Sequence, residues 1–172
     1  MKATLFIIFL FMGNLLFAQE KKSTVVPGQH SFYAELGGPG ILFSANIDTR
    51  FTKSNLGVGG RIGLGFVTGD FGNQNTYEQR SVVTVPVQIN YIFGKPNSVH
   101  SFEVGGGATF LGKKIDLFNY SEVNKNSIVG TASFMYRRQP QEGGFSWRLG
   151  FTPIITSGFV QASGAASIGY NF

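Results

Sequence analysis

From residue 31 to the C-terminus, apolar and polar residues alternate with a period of two, in segments separated by turn-rich stretches. Eight such segments are legible, at 31–37, 41–51, 56–68, 81–93, 100–112, 127–138, 144–156 and 163–172. Most run to about 10 to 13 residues, the length of a strand that crosses a bilayer at a tilt. In the fourth, Val83, Val85, Val87, Ile89, Tyr91 and Phe93 share one face, and Thr84, Pro86, Gln88 and Asn90 the other. In the seventh, Phe145, Trp147, Leu149 and Phe151 oppose Ser146, Arg148, Gly150 and Thr152. Side chains alternate faces along a strand, so each segment has one greasy face and one face of polar residues and glycine.

Which face points inward decides the class. A soluble barrel would put its large apolar residues inside and coat its outside with Lys and Glu. Here the polar face is mostly Gly, Ser, Thr, Asn and Gln, too thinly charged for a solvated surface. An eight-stranded barrel also has an interior only wide enough for side chains to fill, and so many Phe, Ile and Leu side chains would not fit there. The pattern therefore predicts an all-β fold, an eight-stranded antiparallel up-and-down transmembrane β-barrel with aromatics outside in lipid.

The connections support this count. Residues 52–55, 94–99 and 139–143 make short links, 69–80 and 113–126 long ones, and 157–162 an intermediate one. Outer-membrane barrels have short periplasmic turns and longer extracellular loops, so an even strand number with both termini periplasmic puts the long links outside. Gly38-Pro39-Gly40 is unexpectedly short for an extracellular loop. Phe51, Tyr91, Phe93, Phe102, Tyr136, Phe145, Trp147, Tyr170 and Phe172 fall toward the periplasmic rim, and Phe43, Phe66 and Phe110 toward the other, as two interfacial girdles. Pro86 and Pro153 are expected near the extracellular ends, where pairing is cheaply broken.

The first residues follow a different pattern. Met1-Lys2 is a short positive start, Ala3 to Phe17 is almost wholly apolar, and Ala18 precedes a polar run. This order predicts a signal peptide over 1–18, followed by a periplasmic linker over 19–30 and a barrel domain over 31–172. Composition agrees with a barrel: 24 Gly, 18 Phe and 15% aromatic residues, with an N-terminal apolar run too short for a comfortable spanning helix and no run of about 18 apolar residues after it. Backbone groups inside lipid are then satisfied only by a closed barrel. The chain has no cysteine, which excludes disulfides and thiolate metal sites. Its net charge of +5 sits on a chain only 13% charged, without the dense basic face that a nucleic-acid partner requires.

Several segments together resemble a family of small bacterial outer-membrane β-barrel proteins, similar in architecture to OmpA/OmpX-type eight-stranded barrels. They are SFYAELGGPGILFSANIDTRF, TVPVQINYIFG, GGFSWRLGFTPI and the terminal SIGYNF. The most specific is the closing strand, with Phe172 last and Tyr170, Ile168 and Ala166 at alternate positions before it. In the family this ending resembles the signal read by the outer-membrane assembly machinery, so the resemblance implies fold and address: the bacterial outer membrane, with its lipid and lipopolysaccharide as surroundings. It carries no shared catalytic motif, and fold analogy alone supplies no function.

The inward phase carries charges of both signs: Glu35, Asp48 and Glu103 against Arg50, Arg61, Arg137 and Arg148. Buried charges persist when paired, so an Arg–carboxylate network inside the barrel is expected, with Asn46, Gln88 and Asn90 filling gaps. Such a core plugs the lumen; a gated ion path is the alternative. Enzyme chemistry needs a nucleophile, a base and an orienting acid within reach. The two histidines, His30 and His100, fall at periplasmic strand starts with no Ser and acid in register, so no catalytic, cofactor or metal site is expected. The glycines at 57–65 alternate as a strand and lack the lysine ending of a phosphate loop. What remains is a non-enzymatic membrane barrel with a structural or loop-mediated binding role, its extracellular ligand not encoded in any motif; a narrow channel comes next, and a lipid-modifying enzyme last.

Overall fold

The computed structural model describes residues 28–70, 79–115, 126–156 and 159–172. The expected signal peptide, most of the linker and the middles of both long connections lie outside the described residues.

Among the described residues, ten strands form one antiparallel sheet that closes on itself. They are β1 (His30–Gly37), β2 (Phe43–Arg50), β3 (Gly57–Asp70), β4 (Gln79–Gly94), β5 (His100–Ile115), β6 (Asn126–Arg138), β7 (Gly144–Phe151), β8 (Ile154–Thr156), β9 (Phe159–Gln161) and β10 (Gly164–Asn171). β7 and β8 run in line, as do β9 and β10, so the ten segments make eight staves. The barrel closes where β1 meets β10, with Ser31 opposite Asn171 and Gly37 opposite Ala165. This is the eight-stranded up-and-down barrel that the alternation predicts.

The breaks have local causes. Pro153 has no N–H to donate, so the seventh stave is interrupted at 152–153 without losing register: β6 pairs Phe134 with Phe151 and Thr131 with Ile154 across the gap. The partner stave breaks beside it, and Thr152 still donates its N–H to Ser163 O at 2.7 Å. Pro86 lies in the middle of β4 rather than near its end, and there the β3–β4 ladder skips Gly63 and Leu64.

The face assignment is an inversion of a soluble protein. Among the described residues 28 large hydrophobics are exposed and eight hydrophobics are buried, far more exposed apolar surface than a water-soluble monomer tolerates. Outward rings band both ends: Phe43 stacks near Phe66 at 5.7 Å, and Tyr91 near Phe93 at 4.4 Å. His30 and Phe172 exchange backbone hydrogen bonds of 3.0 and 2.9 Å, placing both ends of the barrel on one rim. That rim, the terminal rim, also carries the links 51–56, 95–99 and 139–143; the opposite, loop rim carries 38–42 and the ends of β3, β4, β5, β6, β8 and β9 at Asp70, Gln79, Ile115, Asn126, Thr156 and Phe159.

The first loop-rim connection does not project outward. β2 begins at Phe43, two residues later than expected, because Gly38–Gly40 forms a single 3-10 turn that folds into the barrel mouth with all three residues buried. Gly37 and Gly38 have φ of 69°, and a Cβ on Gly37 would lie 2.2 Å from Gly164 O, so only glycine fits this entry. At the exit, Ile41 has φ 78° and ψ −70°, and Leu42 donates its N–H to Gly40 O at 3.2 Å. That is a γ-turn of the strained kind, centred on a β-branched residue.

Candidate functional site: the filled lumen

The interior is built in two levels. On the terminal side and at mid-height, seven charged side chains point inward from six staves, each at most 2–3% exposed: Glu35, Asp48, Arg50, Arg61, Glu103, Arg137 and Arg148. Alternation puts them there. Asp48 and Arg50 are two apart on β2 and so share its inner face, and Glu103 and Arg137 sit on the hydrogen-bonded staves β5 and β6.

Two clusters result. In the larger, Arg137 Nη1 lies 2.9 Å from Glu103 Oε2 and 3.2 Å from Asp48 Oδ2, while Arg148 Nη1 lies 3.4 Å and 3.7 Å from the same two oxygens. Arg50 pairs with the other Asp48 oxygen and also donates to Asn90 Oδ1. Asn90 Nδ2 donates to both carboxylates at 3.2 Å, tying Asp48 to Glu103 across the lumen. In the smaller cluster Arg61 lies 3.4 Å from Glu35 and donates to Tyr33 Oη at 2.9 Å and to Gln88 Oε1. Gln88 passes the chain on to Thr131 Oγ1 at 2.8 Å. Tyr33 links the clusters, since the Arg148 guanidinium lies over its ring.

Four guanidiniums thus face three carboxylates. Hydroxyls spread the surplus: Arg137 donates to Ser31 Oγ at 3.2 Å and Arg148 to Ser167 Oγ at 3.0 Å. Five buried polar atoms, including Arg61 Nε, Arg137 Nε and Glu35 Oε2, have no protein partner among the described residues. Asn46 donates to Ser44 Oγ at 2.9 Å rather than bridging charges.

Toward the loop rim the chemistry changes. Val82, Leu111, Val129 and Ile154 are buried against one another inside the barrel, with Ile41 and Val67 packed beside them. The 38–40 turn lies with this apolar layer: Thr109 Oγ1 donates to Pro39 O at 2.6 Å and Thr84 Oγ1 to Gly40 O at 3.0 Å. The inward-folded turn satisfies the carbonyls that it brings into the interior by using hydroxyls on β4 and β5.

This layer and Tyr33 are absent from the sequence reading, which assigns apolar side chains to the outside. A signal exists: Val82 is in phase with Thr84, Gln88 and Asn90, and Tyr33 with Ser31 and Glu35. Ile92 and Met135 break the pattern in the same way, each 1% exposed and inward. The histidines stay on the terminal rim. His30 Nδ1 meets Thr49 Oγ1 at 3.2 Å and its ring stacks on Phe172; His100 Nδ1 meets Tyr136 Oη at 2.5 Å. Among the described residues no group of three His, Cys, Asp or Glu side chains could hold a metal ion.

No protein-family model matches the chain, and no curated protein is similar to it by sequence. A solved structure does match: the N-terminal β-barrel domain of Pseudomonas aeruginosa OprF, at a TM-score of 0.56 and 12% identity, covering 85% of this chain and 99% of that one. At that identity the likeness concerns the fold alone, a closed eight-stave antiparallel barrel.

Proposed function

We propose that the chain is an integral outer-membrane β-barrel whose lumen is closed, and that it serves as a non-enzymatic scaffold presenting its loop-rim connections to the outside. The observation that carries this is the filling of the interior at two successive heights, by buried ion pairs below and by an apolar layer with the inward-folded turn above. The exposed apolar exterior and the OprF-like fold support membrane insertion. On this reading the terminal rim faces the periplasm, and residues 71–78 and 116–125 belong to the extracellular loops that meet lipopolysaccharide or a ligand. Ile168, Tyr170 and Phe172, outward and exposed on the closing stave, form the ending that the outer-membrane assembly machinery reads.

Heat-modifiable migration on gels and fractionation with the outer membrane test insertion; recovery as a soluble periplasmic protein would overturn it. Planar-bilayer recording of the purified protein tests closure. A silent bilayer is expected, and steady open events of porin size would sink the closed-lumen reading.

A further inference from the structure

One sector of the outer surface combines a cationic rim with a trough above it. At the terminal rim, the link between β4 and β5 carries exposed Lys95, β5 opens with exposed His100, and β6 ends with exposed Arg138. The register places Arg138 opposite both His100 and Trp147. Arg138 has no ion-pair partner among the described residues, although Glu142 lies in the next turn. Around these charges the outward rings are packed into one cluster. Tyr136 lies 5.3 Å from Trp147, 5.7 Å from Phe102 and 6.0 Å from His100, centroid to centroid. Elsewhere on the rim, the β2–β3 turn carries a single cation, exposed Lys53.

The outward side chains of the same two staves diminish toward mid-height. Phe102 pairs with Tyr136 and Val104 with Phe134, then Gly106 pairs with Ala132 and Ala108 with Gly130, before Phe110 pairs with Ile128. Two successive small pairs make a trough walled by aromatic and branched residues. A Cβ placed on Gly106 would meet nothing within 4 Å, so its glycine is not required by packing within the barrel. On the β1–β2 face, by contrast, one Ala34–Ala45 pair is bracketed by Phe32–Ile47 and Leu36–Phe43. Six residues separate His100 from Gly106, about 20 Å along a strand, close to the reach of a phospholipid acyl chain.

We propose that this sector holds one anionic phospholipid of the leaflet at the terminal rim, with its phosphate between Arg138, His100 and Lys95, and an acyl chain over Tyr136 and Phe102 into the Gly106–Ala132 trough. Charge complementarity selects the headgroup: a phosphate accepts charge-assisted hydrogen bonds from guanidinium and imidazole N–H groups. Depth selects a lipid over a free anion, because the trough continues the site into the hydrocarbon region. The inference rests on the membrane-barrel reading above.

The chain carries one tryptophan, Trp147, within the cluster, so its fluorescence reports the occupant. The full chain is refolded into phosphatidylcholine vesicles containing a minor fraction of phosphatidylglycerol with brominated acyl chains, which quench tryptophan on contact. Quenching well above the mole fraction of brominated lipid is expected, and about tenfold weaker selectivity is expected for the double variant R138Q/H100Q, the size of effect that losing charged hydrogen bonds brings. G106F, which adds a ring to the trough at a position whose Cβ meets no other atom within 4 Å, is expected to lower the same quenching while folding normally by heat-modifiable migration. Quenching that follows bulk composition in the unaltered chain, or is unchanged in both variants, overturns the proposal. So does self-association that shields Trp147 from brominated phosphatidylcholine and phosphatidylglycerol alike, since a second barrel would then occupy the trough. Failure to show a heat-modifiable band in any lipid would instead count against the membrane-barrel reading itself.

Discussion

The two levels of the lumen solve one problem with different chemistry. At mid-height and below, Asp48 and Glu103 bind Arg50, Arg137 and Arg148, and Glu35 binds Arg61. Near the loop rim, Val82, Leu111, Val129 and Ile154 exclude water without any charge. A buried ion cluster is strong only while complete, because each member left behind becomes an unpaired charge in a poor solvent. An apolar layer loses stability in proportion to the volume removed. The difference teaches that the lower lumen is held by a charge set that needs every member, whereas the upper lumen is filled by apolar side chains and the folded-in turn, which tolerate partial loss.

The sharpest way to break the comparison is Glu103→Ala. Arg137 and Arg148 would then share Asp48 alone, and Asn90 would lose one acceptor. A loss of about 3–5 kcal/mol is expected in urea unfolding from lipid vesicles, and adding Arg137→Met should recover part of it, giving a clear coupling in the double-mutant cycle. If the two losses simply add, the cluster does not act as a unit. Next comes Leu111→Ala, expected to cost about 2–4 kcal/mol by opening a cavity in the apolar layer, with no rescue by any charge change below. A similar measurement on Thr109→Val, which leaves Pro39 O without its donor, should show about 1–3 kcal/mol. That variant also loosens the turn, so brief conductance events are expected where the unaltered barrel is silent; complete silence would show that the apolar layer seals without it. Smallest is the strained exit of the turn. Ile41→Ala keeps the positive φ and loses packing, at about 2 kcal/mol. Ile41→Gly also relieves the backbone, so it should be about 1 kcal/mol less damaging than Ile41→Ala. The reverse order would remove strain from the account of this turn.

Much of this barrel was legible before any coordinates. The period-two pattern is local: in β4 each residue from Ser81 to Phe93 faces the side that its phase assigns, and eight such segments with alternating link lengths leave little choice but closure. Glu35, Asp48, Arg50, Arg61, Glu103, Arg137 and Arg148 occur on the inner phase for the same reason. Other features were not legible. Val82 and Leu111 sit on the polar phase, where sequence reasoning has no reason to place apolar side chains. The Gly38-Pro39-Gly40 link reads as a short outer loop, and its inward fold depends on hydroxyls at positions 84 and 109, far along the chain.

What the sequence by itself determined, then, is the strand count, the two faces and the set of charges that must be buried. Tertiary structure alone decided who pairs with whom: that Asp48 on β2 reaches Arg137 on β6, that Tyr33 lies between Arg61 and Arg148, and that the first turn folds into the mouth. The reason is geometric. Alternation is a property of each strand taken singly, whereas contacts across a lumen depend on how the closed sheet is staggered and coiled, and no single strand carries that information.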